Sequence, residues 1–180
     1  MTVAWSRRPA APRMTPPNPR PDGFNFGAVL GHHPSLAAGF RSLTSVFREP
    51  RLPQRVRELV ILRVAWRTRS IYVFGHHRVL GRESGLSDEE ILATTKKLSE
   101  SGLSDDDRVV LEAADDLCDD DCVSEMTWAR LQARCDDAEV LELLFLVGLY
   151  QMVAGVVNSL GLALDPATPG WPAGGSFRDA

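Results

Sequence analysis

The chain has 180 residues, with 20 Lys and Arg against 24 Asp and Glu, a formal net charge of −4 and a pI near 5.6. That length fits one domain with room for a real core. The acidic balance, with arginines scattered among apolar residues instead of forming a basic stripe, disfavours nucleic acid as a partner.

Residues 1–22 carry Pro9, Pro12, Pro16, Pro17, Pro19 and Pro21 with little to bury. This composition predicts a disordered or extended arm, and without a continuous apolar run it does not read as a secretory signal. Across 23–165, helix formers alternate with breakers and strand-like alternation is almost absent. Residues 34–47 read as a helix with Pro34 in its first turn, followed by the breaker run Glu49-Pro50-Arg51-Leu52-Pro53. Pro53 opens a second helix that runs to about Thr68. Ser70 is placed at the N-cap of a third, ending near Gly85. Ser87 with Glu90 makes a capping-box pattern, and Ser104 with Asp107 a weaker one. Helices over 87–97, 105–119, 124–134 and 136–160 complete an all-α, single-domain bundle. Residues 166–180, rich in proline and glycine, read as a flexible tail.

Three features invite other readings. Residues 140–164 are almost continuously apolar and long enough to cross a bilayer. Glu142, Gln151 and Asn158 interrupt the run, acids precede it and no basic flank follows, which fits a core helix and no membrane partner. The acidic run Asp115, Asp116, Asp119, Asp120 and Asp121 lacks the glycine and terminal glutamate of a calcium loop and fits a solvated helix end. Cys118, Cys122 and Cys135 are odd in number and lack C-x-x-C spacing, so neither a disulfide framework nor a metal site is expected. They suit a reducing, cytoplasmic location.

The chemistry concentrates between Glu58 and His77. At ~100° per residue, Ser70, Val73, Phe74, His77 and Gly81 share one helix stripe. His76 points about a quarter-turn away with Tyr72, toward a surface or interface role. If the two helices fold back around Arg67-Thr68-Arg69, Glu58 and His77 lie at comparable distances from the turn. The competing arrangement pairs Glu58 with Arg55 and leaves His77 satisfied by a backbone carbonyl. Further on, Gly148, Gln151, Gly155 and Asn158 share a stripe. The glycines would allow close helix packing, and the amides either satisfy neighbouring helix ends or line a pocket. Trp66 and Tyr150 are candidate pocket walls.

The stretch RELVILRVAWRTRSIYVFGHH resembles the carboxymuconolactone decarboxylase and alkylhydroperoxidase D-like family. In that family's thiol-bearing branch, Glu is followed after eleven residues by Cys-x-x-Cys and, three residues later, by His. Here the frame is Glu58, Ser70-Ile71-Tyr72-Val73 and His77 at the same spacing. A second branch reads roughly S-x-Y-E-W-x-x-H, against which this chain has Ser70, Tyr72 and Phe74, with Val73 in the carboxylate slot. The segments HHPSLAAGF, RLPQRVRELVILRVAW, GLSDEEI and LLFLVGLYQMVAGVVNSLG extend the likeness in the same order.

The resemblance implies an all-α bundle of the alkylhydroperoxidase D-like type over 23–165. It also implies a cofactor-independent acid–base enzyme, a decarboxylase, isomerase or lyase, acting on a small organic acid, lactone or enolisable carbonyl. His77 would move the proton and Glu58 would orient it, without a metal. Ser70, Tyr72, Val73, Phe74, Trp66, Gln151 and Asn158 are the candidate substrate-binding residues. Arg63, Arg67 or Arg69 would stabilise an enolate. Trimers or hexamers are the implied assemblies. A non-catalytic ligand-binding or assembly protein is the alternative, favoured by the inert Val73. Peroxidase-type chemistry requires a thiolate, which Ser70 does not supply.

Overall fold

The computed structural model describes residues 9–17 and 24–173; the rest of the expected arm and tail lies outside the described residues. Among the described residues there are eight α-helices and no strand. They are α1 (Asn25–Val29), α2 (Pro34–Ser45), α3 (Gln54–Arg67), α4 (Ile71–Glu83), α5 (Asp88–Ala93), α6 (Asp105–Asp120), α7 (Glu125–Gln132) and α8 (Asp137–Leu160). The all-α class expected from the sequence is what the chain adopts.

Local chemistry fixes most helix ends. Capping boxes open α5 (Ser87 with Glu90) and α8 (Asp136 with Glu139), and the Ser104 and Ser124 hydroxyls cap α6 and α7. Each such cap contributes about 1 kcal/mol. Gly161, at φ 61°, ends α8 in the left-handed conformation that a side chain would strain. α5 stops short of the expected residue 97. Thr94 and Thr95 turn their hydroxyls back onto the carbonyls of Ile91 and Leu92. The Thr94 and Lys96 carbonyls instead accept from the buried Arg63 guanidinium at 2.8 and 2.7 Å.

α3 is the central strut, burying every residue from Glu58 to Trp66. It runs parallel to α6 at a constant offset. Arg55 pairs with Asp107, Arg63 with Asp115 and Arg67 with Asp119, each pair 52 residues apart. Leu59 and Leu111, at the same offset in the middle of this ladder, are both fully buried. Steps of four and eight residues keep all these positions on facing sides of the two helices. α8 is long and apolar enough to cross a membrane by length and composition, at a mean hydropathy of 2.1. Here it packs against α3, α4, α6 and α7, burying Leu143, Leu146, Val147 and Ala154 among others.

Two expectations are corrected. The close helix packing anticipated at Gly148 and Gly155 is not made among the described residues, where a Cβ at either position would meet nothing within 4 Å. Residues 166–173, expected as flexible tail, have no regular element but are packed. Trp171 stands edge-on to Trp66 with centroids 5.4 Å apart and lies 4.9 Å from the Phe74 ring. The Pro169 carbonyl oxygen sits where a Cβ on Gly75 would be only 2.3 Å away. Proline and glycine remove regular hydrogen bonding; they do not prevent two aromatic rings from seating a segment. At the other end, Arg13 N–H donates to the Leu160 carbonyl at 2.8 Å, tying the described part of the arm to α8.

Candidate functional site

α3 and α4 form an antiparallel hairpin through a turn in which Arg69 takes φ 55°. The fold-back places Glu58 beside His77, whose Nδ1 lies 2.7 Å from Glu58 Oε2. His77 is 9% exposed and Glu58 5%, so the pair is shielded from water. The arrangement pairing Glu58 with Arg55 is not made, because Arg55 is taken by Asp107 and Glu90. Gly81, one turn beyond His77, faces α3 closely: a Cβ there would lie 3.5 Å from Leu62 Cδ1 and 3.9 Å from Glu58 Cβ.

A pocket of about 150 Å³ opens beside His77. Its walls are the rings of Phe24, Phe26, Phe40, Tyr72 and Tyr150, with Val73, Leu149 and Val153 between them. His76, His77 and Thr44 complete the lining. A cavity of about this size holds one six-carbon ring. Tyr150 meets His77 edge-to-face at 4.8 Å, and burial pushes its phenol pKa up, with Glu58 adding to the effect.

A second polar cluster lies on the α1 side. The Tyr72 hydroxyl donates to Asp165 Oδ2 at 2.7 Å and accepts from Phe26 N–H at 3.0 Å. Asp165 Oδ1 accepts from Asn25 N–H at 2.8 Å, and its Oδ2 also lies 2.7 Å from His76 Nε2. That nitrogen is sealed from solvent and makes no straight hydrogen bond, so the contact with Asp165 is electrostatic in the main. Burial holds the His76 pKa below its ordinary value, and Asp165 opposes the shift. Burial and then the bond to Asp165 push the Tyr72 phenol up.

Of the residues nominated from sequence, His77, Tyr72 and Val73 line the pocket, as does the candidate wall Tyr150, and Glu58 stands behind His77. Ser70 caps α4 in position only: its hydroxyl is fully buried, makes no capping bond and lies outside the pocket lining. Phe74 and Trp66 pack against Trp171 instead. Asn158 Nδ2 donates to the Thr68 carbonyl at 3.0 Å and Gln151 Nε2 to the Leu117 carbonyl at 3.1 Å, so both amides serve neighbouring helix ends. Arg63 and Arg67 are held by Asp115 and Asp119, and among the described residues no arginine or lysine lines the pocket.

His76 was placed at a surface or interface and is instead part of the wall. Phe24, Phe26, Phe40 and Asp165 were missed. The one sequence signal for Asp165 is a lone acid between Leu164 and Pro166, in a stretch otherwise short of charge. Among the described residues no group of three or more His, Cys, Asp or Glu is placed to hold a metal ion.

An all-α bundle with a histidine–glutamate pair across an antiparallel hairpin is the class defined by fold and site. Residues 34–116 match the carboxymuconolactone decarboxylase family, a span that holds α2 to α5, most of α6 and both Glu58 and His77. Over this span the chain is similar to that family. Its fold is also that of a crystal structure of a protein of unknown function from Agrobacterium tumefaciens, named there as a candidate antioxidant defence protein AhpD. The two share 15% identity at a TM-score of 0.71, over 75% of this chain and 94% of the other. No curated protein matches the chain.

Proposed function

We propose that this chain is a cofactor-independent acid–base enzyme, a decarboxylase, isomerase or lyase, acting on a small enolisable carbonyl or lactone. The observation that carries the reading is the buried His77–Glu58 pair opening onto an apolar pocket the size of one ring. With Nδ1–H donated to Glu58, the lone pair of Nε2 is the group that takes a substrate proton, and Glu58 stabilises the imidazolium that forms. Such a positioned base contributes about 10²–10⁴-fold in rate.

The lining narrows the substrate class. Among the described residues the wall supplies no guanidinium or ammonium to replace the hydration of a carboxylate, which favours a neutral substrate over an organic acid. The peroxidase reading has no support in the site: none of Cys118, Cys122 and Cys135 lines the pocket, and Ser70 is sealed away from it. A binding protein without catalysis is the second reading, favoured by Val73 in the pocket wall.

Self-association is part of the proposal. Leu141, Phe145, Met152 and Val156 on α8 are exposed, with Gly148 between them, at steps of three and four residues that keep them on one face of the helix. Leu43 of α2 and Val46 just after it continue this apolar surface across a groove of about 760 Å³.

The test is deuterium incorporation from D2O into cyclohexanone and γ-butyrolactone, followed by NMR, with His77→Gln as the comparison. Exchange that depends on His77 supports the enzyme reading. Binding of these probes without exchange favours the second reading.

A further inference from the structure

We propose that His76 is a second catalytic residue in this pocket, holding the substrate oxygen while His77 works at the adjacent carbon, so that the ligand is a small enol or its ketone. The inference rests on the acid–base reading and deepens it.

His76 and His77 are consecutive on α4 and project about 100° apart, yet both line the same pocket. Each imidazole has its own carboxylate, brought by a different part of the chain: Glu58 from α3, and Asp165 from the segment after α8. The carboxylates face different ring nitrogens. Glu58 meets Nδ1 of His77 and Asp165 meets Nε2 of His76, leaving Nε2 of the first and Nδ1 of the second for a ligand. Asp165 is fixed by the Asn25 N–H and the Tyr72 hydroxyl and is 9% exposed, a construction that a histidine merely facing solvent does not need. Elsewhere in the wall the Tyr72 hydroxyl is bonded to Asp165 and the Thr44 hydroxyl to the Phe40 carbonyl, so an oxygen that gains or loses charge there is met chiefly by these rings and the Tyr150 hydroxyl.

In the ketonising direction, His76 Nδ1 takes the enol O–H proton and the oxygen lone pair becomes the C=O bond. The C=C pair then takes a proton from His77 Nε2–H. Enolisation reverses each transfer, and no oxidant or reductant is involved. The neutral form of His76 favoured by burial is the form that accepts the enol proton.

The test uses the full chain with ¹⁵N-labelled histidine rings and phenol as a stable enol analogue. The ring signals are assigned from His76→Gln and His77→Gln, and toluene serves as the hydroxyl-free control. We expect phenol to move the His76 Nδ1 signal and the His77 signals, toluene to leave His76 Nδ1 in place, and phenol affinity to fall about tenfold in His76→Gln. Movement of His77 alone overturns the role of His76 and leaves the acid–base reading standing. Movement of neither ring overturns both.

Discussion

Glu58 and His77 are 19 residues apart in sequence and 2.7 Å apart in space, joined across the α3–α4 hairpin with almost no exposure to solvent. A carboxylate that close fixes the imidazole tautomer and its orientation, which a base must have before its pKa matters. The pair is backed by the most completely buried helix of the fold, so its geometry rests on core packing and not on a loop.

His76 gives the fold a pH dependence of known sign. Burial lowers its pKa, and the charged and titratable groups beside it are Asp165, Tyr72 and His77. The unfolded chain, with a histidine pKa of about 6.5, takes up the proton first as pH falls. Stability is therefore full above about pH 6.5 and declines as pH drops below it toward the lower folded value. Tm measured from pH 8 to pH 5 should fall on the acid side, and His76→Gln should flatten that slope.

Gly75→Ala should loosen the segment that carries Asp165 and Trp171. The new methyl would lie 2.3 Å from the Pro169 carbonyl oxygen and 2.8 Å from Thr168 Cγ2, so backbone has to move. A loss of about 1–3 kcal/mol is expected from such overpacking. Intrinsic fluorescence should change with it, as Trp171 leaves Trp66 and Phe74.

Arg63→Ala should be among the most damaging changes on α3. The side chain is buried, pairs with Asp115 and supplies both carbonyl bonds that end α5. Removing one member of a buried pair costs about 3–5 kcal/mol. Urea denaturation of the variant measures that loss directly.

The cysteines should separate by reactivity. Cys122 is exposed, whereas burial pushes the Cys118 thiol up to about 11. At pH 8 only about one Cys118 in a thousand is then a thiolate. Iodoacetamide labelling read by mass spectrometry should mark Cys122 well before Cys118.

Helix starts were legible because capping is local: Ser87 with Glu90 and Ser104 with Asp107 carry their signal within three residues. The Glu58–His77 frame was legible because one tight turn fixes it and the family motif points to it. The other half of the pocket was not. The Tyr72–Asp165 bond spans 93 residues and the Asn25–Asp165 bond 140, separations on which helical periodicity is silent. Helical phase rightly turned His76 away from His77, but it gave no sign that α1 and the segment after α8 would fold over that side. The same stripe that placed Val73 in the wall also nominated Ser70 and Phe74, which turn into the core at its margins.

The most direct test of the central claim is the rate of deuterium exchange into cyclohexanone by the wild-type protein, His77→Gln and Glu58→Gln, with retained assembly mass and helical circular dichroism as folding controls. Loss of about 10²-fold or more in His77→Gln, and a smaller loss in Glu58→Gln, is the expected result. Exchange by the wild type that both folded variants match would contradict it.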